Sequence, residues 1–138
     1  MKLAQVVILS LSTLLFACSS GPTAEIAKHP LELQALSQQW KLVTVDNKNI
    51  TTSSTLKIDD QGKASGKLAC NNFFGELQLE ANKLRIDKMG NSRKMCIPEI
   101  YSLEVQVAST LSNWSEAELS GKDLILTGEK HILVYTLN

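Results

Sequence analysis

Short runs in which apolar and polar residues alternate, each bounded by turn-forming residues, recur through most of this 138-residue chain. In Thr55–Asp59, Leu56 and Ile58 share one face of a strand, and Asp60-Gln61-Gly62 follows as a hairpin signal. About eight such runs occur close together, so consecutive hairpins build an antiparallel meander. The other predicted strands are Trp40–Val45, Lys63–Cys70, Phe73–Leu79, Leu84–Lys88, Ala117–Leu119, Leu124–Thr127 and Ile132–Leu137. The last two are apolar on both faces, so at least part of each is expected to be covered on both sides. Because closure removes exposed edges, we predict a mainly β (α+β) fold, a small barrel-like meander that is open or closed.

One segment has the period of a helix instead. From Pro98, the apolar residues follow at steps of three and four, which describes one face of a helix of about four turns. Pro98 suits the first helical position, and Glu99 suits the positive end of the helix dipole. The stripe consists of Ile100, Leu103, Val107, Leu111 and Trp114. We expect this amphipathic helix to pack on an open side or mouth of the barrel, and a short lead-in helix to cover residues 31–39.

The N-terminus has the organisation of an export signal. Lys2 precedes an uncharged apolar stretch over residues 3–16, which is too short to span a membrane. The ending Leu15-Phe16-Ala17-Cys18 resembles the bacterial lipobox, in which cleavage leaves a lipid-modified cysteine, and Ser19 behind it permits export to the outer membrane. We therefore predict a lipoprotein signal peptide over residues 1–17, lipid on Cys18 and a lipidated tether over residues 18–30. The alternative is an ordinary cleaved signal with an incidental cysteine.

These features place a single domain, residues 31–138, on the periplasmic side of the outer membrane. After loss of Lys2 the side chains carry 13 basic and 14 acidic groups, with no basic patch, which gives no support for nucleic-acid binding. Cys70 and Cys96 remain as an even pair in an oxidising compartment, so we expect a disulfide that adds about 3.5 kcal/mol of stability. The alternative is a free catalytic thiol, but His29 lies in the tether and His131 near the far end.

No constellation of an enzyme is found. The two histidines have no zinc-ligand spacing, and neither a phosphate-binding glycine loop nor a nucleophile elbow is present, so no catalytic residue, metal or cofactor is predicted. Asp59 and Asp60 suit turn chemistry better than acid–base catalysis. Arg93 and Lys94, beside Ser92, are the candidate contact for an anionic partner such as a lipid headgroup; the alternative is a solvated loop.

The stretch LACNNFFGEL, residues 68–77, is interpreted as a structural corner. Asn71 and Asn72 are expected to form a bend or bulge, because asparagine tolerates left-handed backbone and bonds its own main chain. Phe73 is expected to open the inward face of the next strand, and Gly75 to allow a close backbone approach.

Two linked signatures resemble those of the META domain family. The first is a glycine, then two or three residues, then Cys-Asn-x-Phe-x-Gly, and the second is Met-x-x-Thr-Arg-x-x-Cys, in which Ser92 stands where the family usually has threonine. Glu104 in the predicted helix also fits the family. The matching residues are Trp40, Gly66, Cys70, Asn71, Phe73, Gly75, Met89, Ser92, Arg93 and Cys96. The resemblance implies a compact barrel with a packed helix, no established enzymatic activity, and a role in heat stress and novobiocin resistance.

The first functional hypothesis is therefore a non-catalytic outer-membrane lipoprotein, monomeric, that acts in envelope stress through an unknown envelope protein. The second is a carrier that holds a small apolar ligand or lipid in the barrel mouth. The third is a lysozyme inhibitor, which the chain fits poorly, because Ser65–Ala69 lacks the tyrosine of the inhibitory Ser-Gly-x-x-Tyr loop.

Overall fold

The computed structural model describes residues 30–138. The interpretations of residues 1–17 as a signal peptide, of Cys18 as the lipid attachment and of nearly all of the tether lie outside the described residues. The described elements are α1 (Leu33–Leu36), β1 (Gln39–Val45), β2 (Lys48–Asn49), β3 (Thr55–Ile58), β4 (Lys63–Lys67), β5 (Asn72–Glu80), β6 (Lys83–Asn91), α2 (Pro98–Ser112), β7 (Ser115–Ser120), β8 (Asp123–Thr127) and β9 (Ile132–Leu137).

Eight of the strands form a closed antiparallel barrel. Each strand from β3 to β9 pairs with the next in sequence, and β9 returns to pair with β1 from Trp40–Leu137 to Val45–Leu133. The remaining strand, β2, extends the β1 turn and pairs only with the end of β1. The predicted mainly β, barrel-like fold with one packed helix is confirmed, and the barrel is closed rather than open.

The helix α2 lies at the weakest seam of the barrel. Strands β6 and β7 pair at only two positions, Lys83–Glu116 and Leu84–Ser115. The chain between them forms α2, which packs against β6 and also contacts β9. The seam explains why the helix has a buried stripe, since its apolar face covers interior that two fully paired strands would otherwise enclose.

Large apolar side chains fill the barrel. Strand residues at alternate positions point inward and share one core with residues of both helices, because the strand period of two places every second side chain inside. Trp40 donates its indole N–H to the Leu36 carbonyl at 3.0 Å, which ties α1 to the start of β1. None of the described helices is long and apolar enough to cross a membrane.

Several predicted bounds differ from the structure. The helix stripe is correct at Val107 and Leu111, but Trp114 lies beyond the helix end and is 38% exposed, with its ring 4.9 Å from the Arg85 guanidinium. The lead-in helix is a single turn, Leu33–Leu36. Strand β6 continues to Asn91, because its end pairs with the start of β5, so the predicted loop from Met89 begins only at Ser92.

Candidate functional site

Most residues of the two signatures meet at one end of the barrel. The corner between β4 and β5, the end of β6, the loop of residues 92–97 and the first half of α2 come together there. At the centre lie two polar residues with little solvent exposure, Asn71 at 4% and Glu104 at 5%. Buried polar groups are costly without partners, so their hydrogen bonds define the site.

The side-chain amide of Asn71 fixes the loop of residues 92–97. Its Oδ1 accepts hydrogen bonds from the Lys94 N–H at 2.6 Å and from the Ser92 hydroxyl at 3.0 Å. Its Nδ2 donates to Glu104 Oε1 at 2.7 Å. The Ser92 hydroxyl also lies 3.2 Å from the Asn72 N–H, which donates to it. Ser92 therefore has a defined role that a threonine hydroxyl could also fill.

The Glu104 carboxylate is bound by the main chain of the corner. Its Oε2 accepts hydrogen bonds from the N–H groups of Asn71, at 2.7 Å, and Cys70, at 2.9 Å. Burial alone would raise the pKa of Glu104, but hydrogen bonds from Asn71, Cys70 and Ala69 outweigh it and hold the pKa below its ordinary value. No salt bridge within residues 30–138 includes Glu104, so amide donors alone compensate its buried charge.

The predicted disulfide between Cys70 and Cys96 is present. It joins the β4–β5 corner to the end of the loop of residues 92–97, just before α2. The two sulfurs and the Glu104 carboxylate lie within 4.8 Å of one another, which resembles a set of metal ligands. The sulfurs are bonded to each other and both carboxylate oxygens accept amide hydrogen bonds. The donor atoms that a metal would need are therefore already engaged in the described state.

The predicted bend is present at Asn71, but neither Asn71 nor Asn72 has the left-handed backbone that was expected to form it. Within residues 30–138, the non-glycine residues with positive φ are Asp46, Asn47, Ala81 and Lys88. Asn71 acts through its side chain, which reaches residues more than twenty positions away. A local sequence window cannot show partners at that distance.

The glycines and the phenylalanine of the first signature have steric roles. A Cβ on Gly66 would lie 2.1 Å from the Thr55 carbonyl oxygen, and one on Gly75 would lie 2.5 Å from the Ile86 side chain. The close approach predicted at Gly75 is therefore present. Phe73 is buried and opens the inward face of β5, as expected.

The fixed loop presents an exposed surface. Neither Arg93 nor Lys94 forms a salt bridge within the described residues, and both side chains are exposed. After them in the chain, Met95 is fully exposed, Ile97 is 61% exposed and Tyr101 is 58% exposed. We call these five residues the Met95 surface. The two cations of this surface were predicted from the sequence, but its apolar members were not, although Ile97 and Tyr101 lie four positions apart and off the apolar stripe of the helix.

A second group of polar residues joins the turn between β1 and β2 to the turn between β8 and β9. His131 Nδ1 lies 2.8 Å from Asp46 Oδ2, and Asp46 Oδ1 accepts the Ile132 N–H at 2.8 Å. The Ile132 N–H and then the His131 ring lower the pKa of Asp46. His131 thus has a carboxylate partner that the sequence did not suggest, and the disulfide leaves no thiol for it to activate.

A pocket of about 140 Å³ lies beside this His131. Its hydroxyl groups are already used by the main chain, since Thr110 Oγ1 donates to the Gln106 carbonyl and Ser115 Oγ donates to the Thr110 carbonyl. To activate a side-chain nucleophile, an imidazole needs a hydroxyl or thiol within hydrogen-bond reach. The arrangement fits a link between the β1–β2 turn and β9 better than a catalytic dyad.

A family model described as META domain matches residues 32–138 of the chain. No significant match is found among curated proteins. Two solved structures are similar. An "NMR structure of the protein" is 24% identical, with a TM-score of 0.69, and the match covers 78% of this chain and 95% of that one. An "NMR structure of the protein from Burkholderia xenovorans" is 19% identical, with a TM-score of 0.61 and coverages of 86% and 97%. At these identities the two structures support the fold alone.

Proposed function

Because the chain belongs to the META domain family, we propose that it is a non-catalytic lipoprotein of the outer membrane that acts by binding through the Met95 surface. The META domain family is not a known enzyme family. The proposed anchor is lipid on Cys18, with the domain of residues 31–138 facing the periplasm as a monomer. Its proposed role is tolerance of envelope or heat stress and of novobiocin.

The observation that carries this proposal is the contrast between the buried corner and the surface it holds. Asn71, Glu104, Ser92 and the disulfide fix the loop of residues 92–97, yet the loop sends Arg93, Lys94 and Met95 into solvent. Large exposed apolar side chains beside cations favour an interaction site. A loop fixed in advance loses little conformational entropy when it binds, so its rigidity supports affinity.

The position at which the chain enters the domain is compatible with a preceding tether. The Leu31 N–H donates to the Ala81 carbonyl at 3.3 Å, at the turn between β5 and β6. The residues before it are small and polar, as a linker requires. Changing Cys18 to Ala should release the protein from membranes, and continued sedimentation with the outer membrane would contradict the anchor.

The proposed role can be tested in a strain that lacks the protein. Complementation with the wild-type chain should restore survival of heat and novobiocin, whereas the double variant Arg93→Glu/Lys94→Glu should not. The matched control is Lys41→Glu/Lys57→Glu, which makes the same charge change at two exposed lysines of the barrel wall that form no salt bridge within residues 30–138. Equal survival with both double variants would contradict a role for the Met95 surface.

A second candidate function is carriage of a small apolar ligand inside the barrel. One observation favours it, since the Tyr135 hydroxyl is buried and has no hydrogen-bond partner among residues 30–138. Against it, side chains such as Trp40 and Leu42 fill the interior around that residue. Native mass spectrometry of gently purified protein tests this candidate, and repeated absence of a bound molecule would remove it.

A further inference from the structure

We propose that the Met95 surface docks on an anionic phospholipid bilayer, with Met95 and Ile97 entering the interface and Arg93 and Lys94 at the headgroups. The inference rests on the proposed function, because it names the partner of the same binding surface.

The charge of the loop fits an anionic bilayer. Residues 92–98 contain two cations and no acidic residue. In α2, Glu99 is exposed and Glu104 is buried with its oxygens engaged, so the loop and α2 together present one exposed carboxylate. Basic residues next to an anionic leaflet each strengthen binding about fivefold. Because Arg93 and Lys94 form no salt bridge within residues 30–138, and this loop and α2 carry little negative charge, the surface meets little repulsion from anionic headgroups.

The apolar members fit the depth profile of a bilayer interface. Met95 and Ile97 are two residues apart in a loop and both expose most of their side chains. Tyr101, one helical turn further on, carries an apolar ring with a polar tip, the side chain that membrane interfaces favour. Aliphatic groups flanked by cations bind where acyl chains and phosphates lie close together. A flat protein partner would leave a projecting Met95 without a matching pocket, so the lipid surface is the better fit.

The geometry allows the anchor and the surface to meet the same membrane. The chain enters beside Ala81, at one end of the β5–β6 hairpin, and the loop of residues 92–97 leaves from the other end, where Phe73 pairs with Asn91. Nine-residue strands separate these ends by about 30 Å. A tether over residues 18–30 spans at most about 40 Å when extended, which is long enough for the barrel to lie along the bilayer. Two linked contacts then strengthen each other through their effective concentration.

The test uses the mature chain with Cys18→Ser, which lacks the acyl groups but retains every described residue. It is incubated with vesicles of phosphatidylethanolamine and phosphatidylglycerol, or of phosphatidylcholine alone, and the bound fraction is measured by sedimentation. We expect binding to the anionic vesicles that weakens at high salt. Met95→Ser/Ile97→Ser and Arg93→Glu/Lys94→Glu should each weaken it by about tenfold or more.

Two control variants distinguish binding through this surface from nonspecific adsorption to vesicles. Phe74→Ser removes another exposed apolar side chain on the barrel wall, and Lys41→Glu/Lys57→Glu reverses two cations elsewhere. Both should bind like the parent chain. A Met95→Trp variant adds a direct readout, because its fluorescence should shift to shorter wavelength on the anionic vesicles.

Absence of vesicle binding, equal binding to both vesicle types, or equal loss in the control variants would overturn the proposal. If the Met95 surface crosslinks to an envelope protein in cells while the purified chain ignores vesicles, the partner is a protein and the lipid proposal is wrong. A failure of the proposed function gives a different result. In that case the parent chain still binds anionic vesicles, but the Arg93→Glu/Lys94→Glu variant restores survival of heat and novobiocin as well as the wild-type chain does.

Discussion

Glu104 binds Asn71 at two points, accepting its main-chain N–H on Oε2 and its side-chain N–H on Oε1, each at 2.7 Å and across 33 positions of sequence. The Lys94 N–H and the Ser92 hydroxyl reach the other side of the same Asn71 amide. Helix α2, the β4–β5 corner and the exposed loop are therefore connected through one buried amide and one buried carboxylate. Four of the predictions below follow from this corner.

Changing Glu104 to Gln should lower the free energy of unfolding by about 3 kcal/mol at neutral pH. A glutamine has one carbonyl oxygen, so its NH₂ group must face either the main-chain N–H groups or Asn71 Nδ2, all of which are donors. Urea unfolding measures the change. Glu99→Gln, exposed on the same helix, is the matched control and should change little. Equal effects of the two substitutions would contradict the role of Glu104.

The stability that Glu104 supplies should disappear in acid. Its folded-state pKa lies below the ordinary value of 4.5, so the unfolded chain binds the proton first as the pH falls. The contribution is complete above that ordinary value and is lost as the pH drops through the folded-state pKa. The difference between wild type and Glu104→Gln should therefore shrink below about pH 4. Asp46 and Glu76 also have lowered pKa values, but both proteins retain them. Parallel stability curves would contradict this prediction.

Changing Asn71 to Asp should destabilise the protein at neutral pH and reverse the sign of its pH dependence. The substitution keeps the shape but places an oxygen where Nδ2 donates to Glu104, so two carboxylates face each other at about 3 Å. One of them then has a folded-state pKa above its unfolded value, and the folded state binds the extra proton. Stability should rise as the pH falls from about 7 to about 5. Asn72→Asp, exposed and adjacent, should show no such rise in urea unfolding.

The sequence was sufficient for the features that depend on local pattern. Alternation predicted the strand that contains Leu56 and Ile58, because a strand buries every second residue, and both side chains are inside the barrel. Leu124 and Leu126 are also inside, although their strand was predicted from a continuous apolar run. Compartment and cysteine count predicted the disulfide. Trp114 continued the apolar spacing of the helix, but the chain leaves the helix at Asn113, so periodicity placed it on the wrong side.

The contacts within the site could not be predicted from local sequence pattern. Glu104 matched the family signature without a role, since a glutamate in an amphipathic helix is most often solvated and its partners lie over thirty residues away. Asn71 was assigned a backbone role because asparagine favours turns, whereas its side chain satisfies a buried carboxylate and a loop amide. The pairing of Asp46 with His131, 85 positions apart, likewise depends on barrel closure. Each contact follows from tertiary packing, which single-sequence spacing does not encode.

Changing Cys70 or Cys96 to Ser should lower the free energy of unfolding by about 3.5 kcal/mol, because both substitutions open the same loop of 26 positions. Wild-type protein treated with a reductant should unfold at the same urea concentration as the two variants. Clearly unequal effects would show that one cysteine contributes by something other than the disulfide. Vesicle binding by the reduced protein would also show whether the disulfide helps to hold Met95 in its exposed position.

Changing Tyr135 to Phe should leave the protein equally stable or stabilise it by about 1 kcal/mol. The Tyr135 side chain is fully buried and its hydroxyl has no hydrogen-bond partner in the described part of the chain, so folding removes that hydroxyl from water without replacing its hydrogen bonds. Burial also raises the pKa of Tyr135, which keeps the hydroxyl neutral in the folded protein. Phenylalanine retains the packing of the ring and removes the unpaired group. Urea unfolding measures the change, with the exposed Tyr101→Phe as a control that should have no effect.

A loss of stability in Tyr135→Phe would instead show that the hydroxyl has a partner inside the barrel, such as a water molecule or a bound ligand. That outcome would strengthen the carrier hypothesis, because a polar anchor in an apolar interior is how a small ligand is oriented.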